Sequence, residues 1–194
     1  MIMKSTLKIA ALVLAFAGLS YSAKAQTTPT TTSTTTTTNS GIRYSIGVET
    51  GIPIGDFKDF HKWNLGGSVQ ADIPVAQQLF VTVNAGFNNF FGKTIAGVDV
   101  PNIQLIPVKA GLKFFPVQNF YVQGEAGAAF LLNKDVYNDK STAFVWAPQV
   151  GVQFPVSASG NFIDAGIRYE STSNFVSNVN SKAQFLGLRL AYGF

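Results

Sequence analysis

From Ile42 to Phe194, apolar and polar residues alternate with period two in eight segments: 42–50, 64–75, 79–87, 102–115, 119–132, 143–154, 161–172 and 183–194. Period two is the signature of strands with one apolar and one polar face. No stretch holds apolar residues at i, i+3, i+4 and i+7 across three turns, so no long helix is predicted. Most segments run to about ten residues, the length of a tilted strand crossing a bilayer.

Charge follows the same parity. The first segment sets Ile42, Tyr44, Ile46 and Val48 against Arg43, Ser45, Gly47 and Glu49, and the other seven divide in the same way. The charges within the segments all fall on the polar faces. The acids are Glu49, Asp72, Glu125, Asp164 and Glu170; the bases are Arg43, Lys109, Lys113, Arg168 and Arg189. Five against five suits a closed interior, where an unpaired charge is costly and a paired one is tolerated.

Two architectures give such alternation. A soluble, lipocalin-like barrel turns its apolar faces inward, whereas a membrane barrel turns them toward lipid. The polar faces are rich in glycine, which suits the interior of an eight-stranded barrel, just wide enough for side chains to fill.

The connections decide between them. "AQQ", "PVQ" and "PVSASG" are short and alternate with the longer "GIPIGDFKDFHKW", "NNFFGKTIAGVDVP", "NKDVYNDKST" and "SNFVSNVNSK". Short periplasmic turns and longer extracellular loops mark outer-membrane barrels. The prediction is an all-β, eight-stranded antiparallel up-and-down transmembrane β-barrel over 41–194, with both termini periplasmic. Tyr44, Phe114, Phe115, Phe120, Phe154, Phe162 and Phe194 fall near its turn end, and Phe87, Trp146 and Tyr169 near its loop end, as two aromatic girdles would.

Composition refines this picture at the N-terminus. Lys4 and Lys8 precede "IAALVLAFAGL", and "SAKA" follows, the three-part layout of a secretory signal over 1–25, cut after Ala25. A retained membrane helix is the rival, but the apolar run is shorter than the roughly 20 residues that spanning takes. Removing the signal leaves eleven bases against ten acids, so the basic balance of the whole chain carries no nucleic-acid footprint. Residues 26–40, "QTTPTTTSTTTTTNS", cannot bury enough apolar surface to fold and read as a disordered linker. With no cysteine, disulfides and thiolate metal sites are excluded.

The chain closes on "LRLAYGF". Apolar residues at alternate positions, an aromatic two from the end and a terminal Phe resemble the C-terminal signal of Gram-negative outer-membrane barrels. Leu186, Leu188, Leu190, Tyr192 and Phe194 take the matching positions. The resemblance implies that the last strand is read by the barrel assembly machinery during insertion. Residues 41–194 resemble the small eight-stranded "outer membrane protein beta-barrel domain" group, which carries a porin-family label, in "GVETGIPIGDF", "IPVKAGLKFF" and "VQGEAGAAFLL". That likeness implies a monomer in the outer membrane of a Gram-negative bacterium, among outer-membrane lipid and lipopolysaccharide.

Candidate chemistry is sparse. His61 is the one histidine, with Asp56 and Asp59 near it in sequence, but nothing marks a Ser or Thr nucleophile, so it reads as a solvated loop residue. Asp135 and Asp139 fall well short of an all-oxygen calcium site, which needs six or more ligands, and also read as solvated. No catalytic, cofactor or metal site is expected. The ten strand charges read as a structural salt-bridge network that plugs the lumen. Function therefore reads as structural or surface interaction, without catalysis. A narrow channel for small solutes is the second reading, and a soluble periplasmic lipid-binding barrel the third. Phe57, Phe60, Trp63, Phe90, Phe91, Phe175 and Val176 look exposed on the loops. They suit either a contact with lipopolysaccharide or another surface ligand, or packing on one another to rim the barrel.

Overall fold

The computed structural model describes residues 41–133, 141–175 and 181–194. The expected signal and linker, Asp135, Asp139 and Val176 lie outside the described residues. The strands are β1 Arg43–Pro53, β2 His61–Ala76, β3 Leu79–Gly92, β4 Thr94–Ile95, β5 Val98–Asp99, β6 Ile103–Val117, β7 Phe120–Leu131, β8 Thr142–Pro155, β9 Phe162–Thr172 and β10 Gln184–Gly193. One helical turn, α1 Phe57–Phe60, precedes β2. The hairpin β4–β5 stands apart; the other eight strands form one closed barrel in the order β1-β10-β9-β8-β7-β6-β3-β2. Every neighbouring pair is antiparallel, as the alternation predicts. Tyr44 and Phe194 complete the seam by exchanging backbone hydrogen bonds of 3.0 and 2.9 Å, so the last residue is tied into the wall.

The wall is apolar outside. Ile46, Val48, Leu65, Val69, Leu112, Val150, Leu188 and Leu190 are exposed, while nine of the ten charges on the polar faces are buried and Arg43 is half-buried. Such polarity is the reverse of a soluble barrel, so the lipocalin-like reading does not fit.

Three details shape the wall. First, β1, β2 and β3 run further toward the loops than the alternation predicts. Backbone pairing continues past the apolar stripe, through His61 opposite Gly92 and the 2.8 Å bond from Lys93 N–H to the Phe60 carbonyl. Part of each of two expected loops is therefore wall.

Second, inward glycines face the long charged side chains. Gly66 pairs with Glu49, Gly187 with Arg168, Gly166 with Arg189, Gly111 with Glu125 and Gly127 with Lys109. A Cβ on Gly111 or Gly127 would overlap the neighbouring strand's own carbonyls, those of Gly124 and Val108.

Third, the β8–β9 ladder lapses between Trp146 opposite Ser171 and Gln149 opposite Arg168, where Pro148 supplies no N–H. In an apolar membrane a missing backbone bond has no water to replace it. Pro148→Ala should therefore stabilise the barrel by about 1 kcal/mol, read as a higher urea midpoint in lipid vesicles.

Candidate functional site: the filled lumen

The structure brings all ten strand charges into the lumen and links them in one alternating chain. Arg43 lies 3.3 Å from Asp72, and Asp72 2.8 Å from Lys113. Lys113 reaches Asp164 at 3.6 Å, and Asp164 meets Arg189 at 3.3 Å. Arg189 continues to Glu49 at 3.6 Å, and Glu49 to Arg168 at 3.0 Å. Arg168 lies 3.5 Å from Glu125, Glu125 lies 3.8 Å from Lys109, and Lys109 pairs closely with Glu170. Nine ion pairs thus thread five cations and five anions from the turn end to mid-barrel. Neutral groups hydrogen-bond several of the carboxylates. Ser68 donates to Glu49 at 2.6 Å, Gln70 to Asp72 at 2.7 Å, Tyr121 to Asp164 at 2.8 Å and Thr82 to Glu125 at 3.2 Å.

Each end of this layer is capped. At the turn end the Arg43 guanidinium lies over Phe80 at 4.2 Å, Phe162 at 5.1 Å and Phe115 at 5.7 Å. Cation–π contacts hold it there while its Nη2 donates to Asp72. Phe162, expected in the outer girdle, is buried, and Phe115 stacks edge-on with Phe80 at 5.6 Å instead of facing lipid. Both lie on the inward parity of their strands, shared with Asp164 and Lys113, which is the physical reason for the difference.

At the loop end the lumen turns apolar. Phe57, Phe90, Ile103, Leu105, Ala129, Leu131, Ala143, Val145, Phe175, Ala183 and Phe185 form one buried cluster. Phe57 meets Phe90 edge-on at 5.1 Å, and Phe90 meets Phe185 at 5.3 Å. Phe57, Phe90 and Phe175 are therefore plug residues and not exposed loop aromatics. His61 is also corrected: it is 3% exposed and stacked on Phe57 at 4.3 Å. A register shift between His61 and Asn64 turns it inward. Among the described residues of that set only Phe60 and Trp63 are exposed, and Phe91 is half-buried and stacked on Trp63.

The plug was visible in parity. Ile103 and Leu105 are in step with Lys109, Leu131 with Glu125, Val145 with Gln149 and Phe185 with Arg189. Along β6, β7, β8 and β10 the inward face changes from polar or charged to apolar toward the loop end.

The assembly-signal positions form an outward stripe. Leu186, Leu188, Leu190, Tyr192 and Phe194 are all exposed on β10 or at its end, and the Tyr44 and Phe194 rings sit 6.4 Å apart across the seam. Among the described residues no group of three or more His, Asp or Glu side chains is placed to hold a metal.

The barrel is similar to two solved structures. One is the outer membrane protein Ail of Yersinia pestis in a phospholipid nanodisc, with TM-score 0.51 and 16% identity over 78% of this chain and 99% of that one. The other is the outer membrane protein OprG of Pseudomonas aeruginosa, with TM-score 0.52 and 12% identity over 80% and 96%. This chain has the fold of a small outer-membrane β-barrel. No protein-family model matches the sequence, and no curated protein matches it. At these identities the likeness is one of fold alone.

Proposed function

We propose that this chain is an integral outer-membrane barrel with a structural or surface-interaction role, which neither conducts solutes nor catalyses a reaction. The observation that carries the reading is the filled lumen. A continuous chain of ion pairs is capped by an aromatic cage around Arg43 at one end and an apolar plug at the other. Every cation in it is held by at least one carboxylate, so none is left free to draw a solute through. The apolar plug opposes hydrated ions further, since stripping their water costs several kcal/mol per ion.

The ten charges act as a structural brace, and the β10 stripe of Leu186, Leu188, Leu190, Tyr192 and Phe194 serves as the signal met by the assembly machinery. Both termini face the periplasm and the loop end faces outward, because even strand number places both termini on the short-turn side. The closed barrel, which leaves no edge strand to pair with another copy, supports a monomer.

Cell fractionation with boiled and unboiled gel samples tests the placement. A mobility shift confined to the outer-membrane fraction is expected. A periplasmic protein with no shift would overturn it. A narrow channel remains the competing function, and conductance separates the two.

A further inference from the structure

We propose that the Lys62–Trp63 bulge docks the phosphorylated headgroup of an outer-leaflet glycolipid, an inference that rests on the outer-membrane reading above. It begins with an exception. The barrel strands carry ten charges inward and one outward, Lys62. From Asn64 to Asp72 the even-numbered residues of β2 face the lumen, so regular pairing would turn Lys62 inward as well. The register breaks first. His61 pairs with Gly92 and Asn64 with Phe90, leaving Lys62 and Trp63 together opposite the single residue Phe91. Bulges of this kind re-aim side chains and are features under selection. Here the bulge buries His61 and exposes both Lys62 and Trp63.

What surrounds Lys62 fits an amphiphile. Trp63 stacks on Phe91 with ring centroids 4.5 Å apart and planes at 22°. One step toward the turn end, Leu65 and Phe87 begin the exposed apolar belt. An exposed cation one residue loopward of an aromatic pair, at the margin of an apolar belt, is the arrangement that meets a lipid where its chains join its headgroup. Lys93 is drawn alongside by its bond to Phe60, and Lys58 lies on α1. The acids nearby are Asp56 and Asp59 at α1 and Asp99, whose carboxylate accepts the Thr94 hydroxyl at 2.7 Å. Lys62 itself makes no ion pair among the described residues. Its compact ammonium matches a phosphomonoester, which carries about −1.5 to −2 charges at neutral pH.

The test uses the full chain in phosphatidylcholine nanodiscs, in a Trp146→Phe background, so that Trp63 is the one tryptophan reporter. Bis-phosphorylated lipid A is titrated in and Trp63 emission is followed. A saturable change is expected, with a midpoint about fivefold weaker in Lys62→Gln. Dephosphorylated lipid A should match the Lys62→Gln response. Lys62 is exposed, so the variant should fold, checked by an unchanged gel shift. Equal midpoints with and without Lys62, or equal responses to both lipids, would overturn the proposal. A response to inorganic phosphate alone at the same concentrations would identify a free-anion site and overturn the lipid assignment. Fractionation away from the outer membrane would instead overturn the location, independently of the titration.

Discussion

Arg168→Met lowers the unfolding free energy of the barrel by about 3–5 kcal/mol, the cost of removing one partner from a buried ion pair. Arg168 sits at the middle of the chain of charges. Its Nη1 donates to both Glu49 oxygens at 3.0 and 3.2 Å, its Nε donates to Gln149 at 2.7 Å, and Glu125 lies 3.5 Å away. Methionine fills a similar volume but leaves two buried carboxylates short of a cation. The loss should be partly recovered by adding Glu49→Gln, which removes one of the stranded charges, so the two substitutions should be strongly non-additive. Urea unfolding in lipid vesicles measures both. A change below about 1 kcal/mol for Arg168→Met would mean that water screens the lumen, as it screens surface pairs.

Gly127→Val prevents formation of the heat-modifiable barrel, while Gly124→Val leaves it intact. The two glycines lie three residues apart on β7 and face opposite ways. A Cβ at Gly127 overlaps the Val108 carbonyl and comes within 2.8 Å of Lys109 Cα, so β6 itself would have to move. A Cβ at Gly124 meets nothing within 4 Å. Overpacking against backbone should cost about 3 kcal/mol or more. The outward substitution adds apolar surface to an apolar belt. The boiled–unboiled gel shift reports both variants. If Gly127→Val also folds, the close approach of β6 and β7 is not a requirement of the barrel.

Strand number, polarity of the wall and the inward set of charges were legible in the sequence because a membrane wall imposes period two and lets lipid see only one parity. The cross-strand pairing of glycines with charges was not, because it depends on the register between neighbouring strands, which the path of the loop joining them sets, as between Gly187 and Arg168. The loop end was misjudged for two reasons. Phe57, Phe90 and Phe175 are aromatic residues between strand patterns, which read as exposed until the closed wall gives them an interior to fill. His61 was misplaced by the two-for-one bulge, which inverts parity within three residues. Phe115 and Phe162 show the opposite failing. Their parity already placed them inside, but their aromatic character suggested a girdle.

The most direct measurement is planar-bilayer conductance of the purified full chain at neutral pH. A lumen closed by nine ion pairs, the Arg43 cage and the apolar plug predicts a baseline without unitary steps at protein levels where insertion is proved by the gel shift. Steady, reproducible conductance steps from inserted protein would contradict the filled lumen and establish the narrow channel in its place.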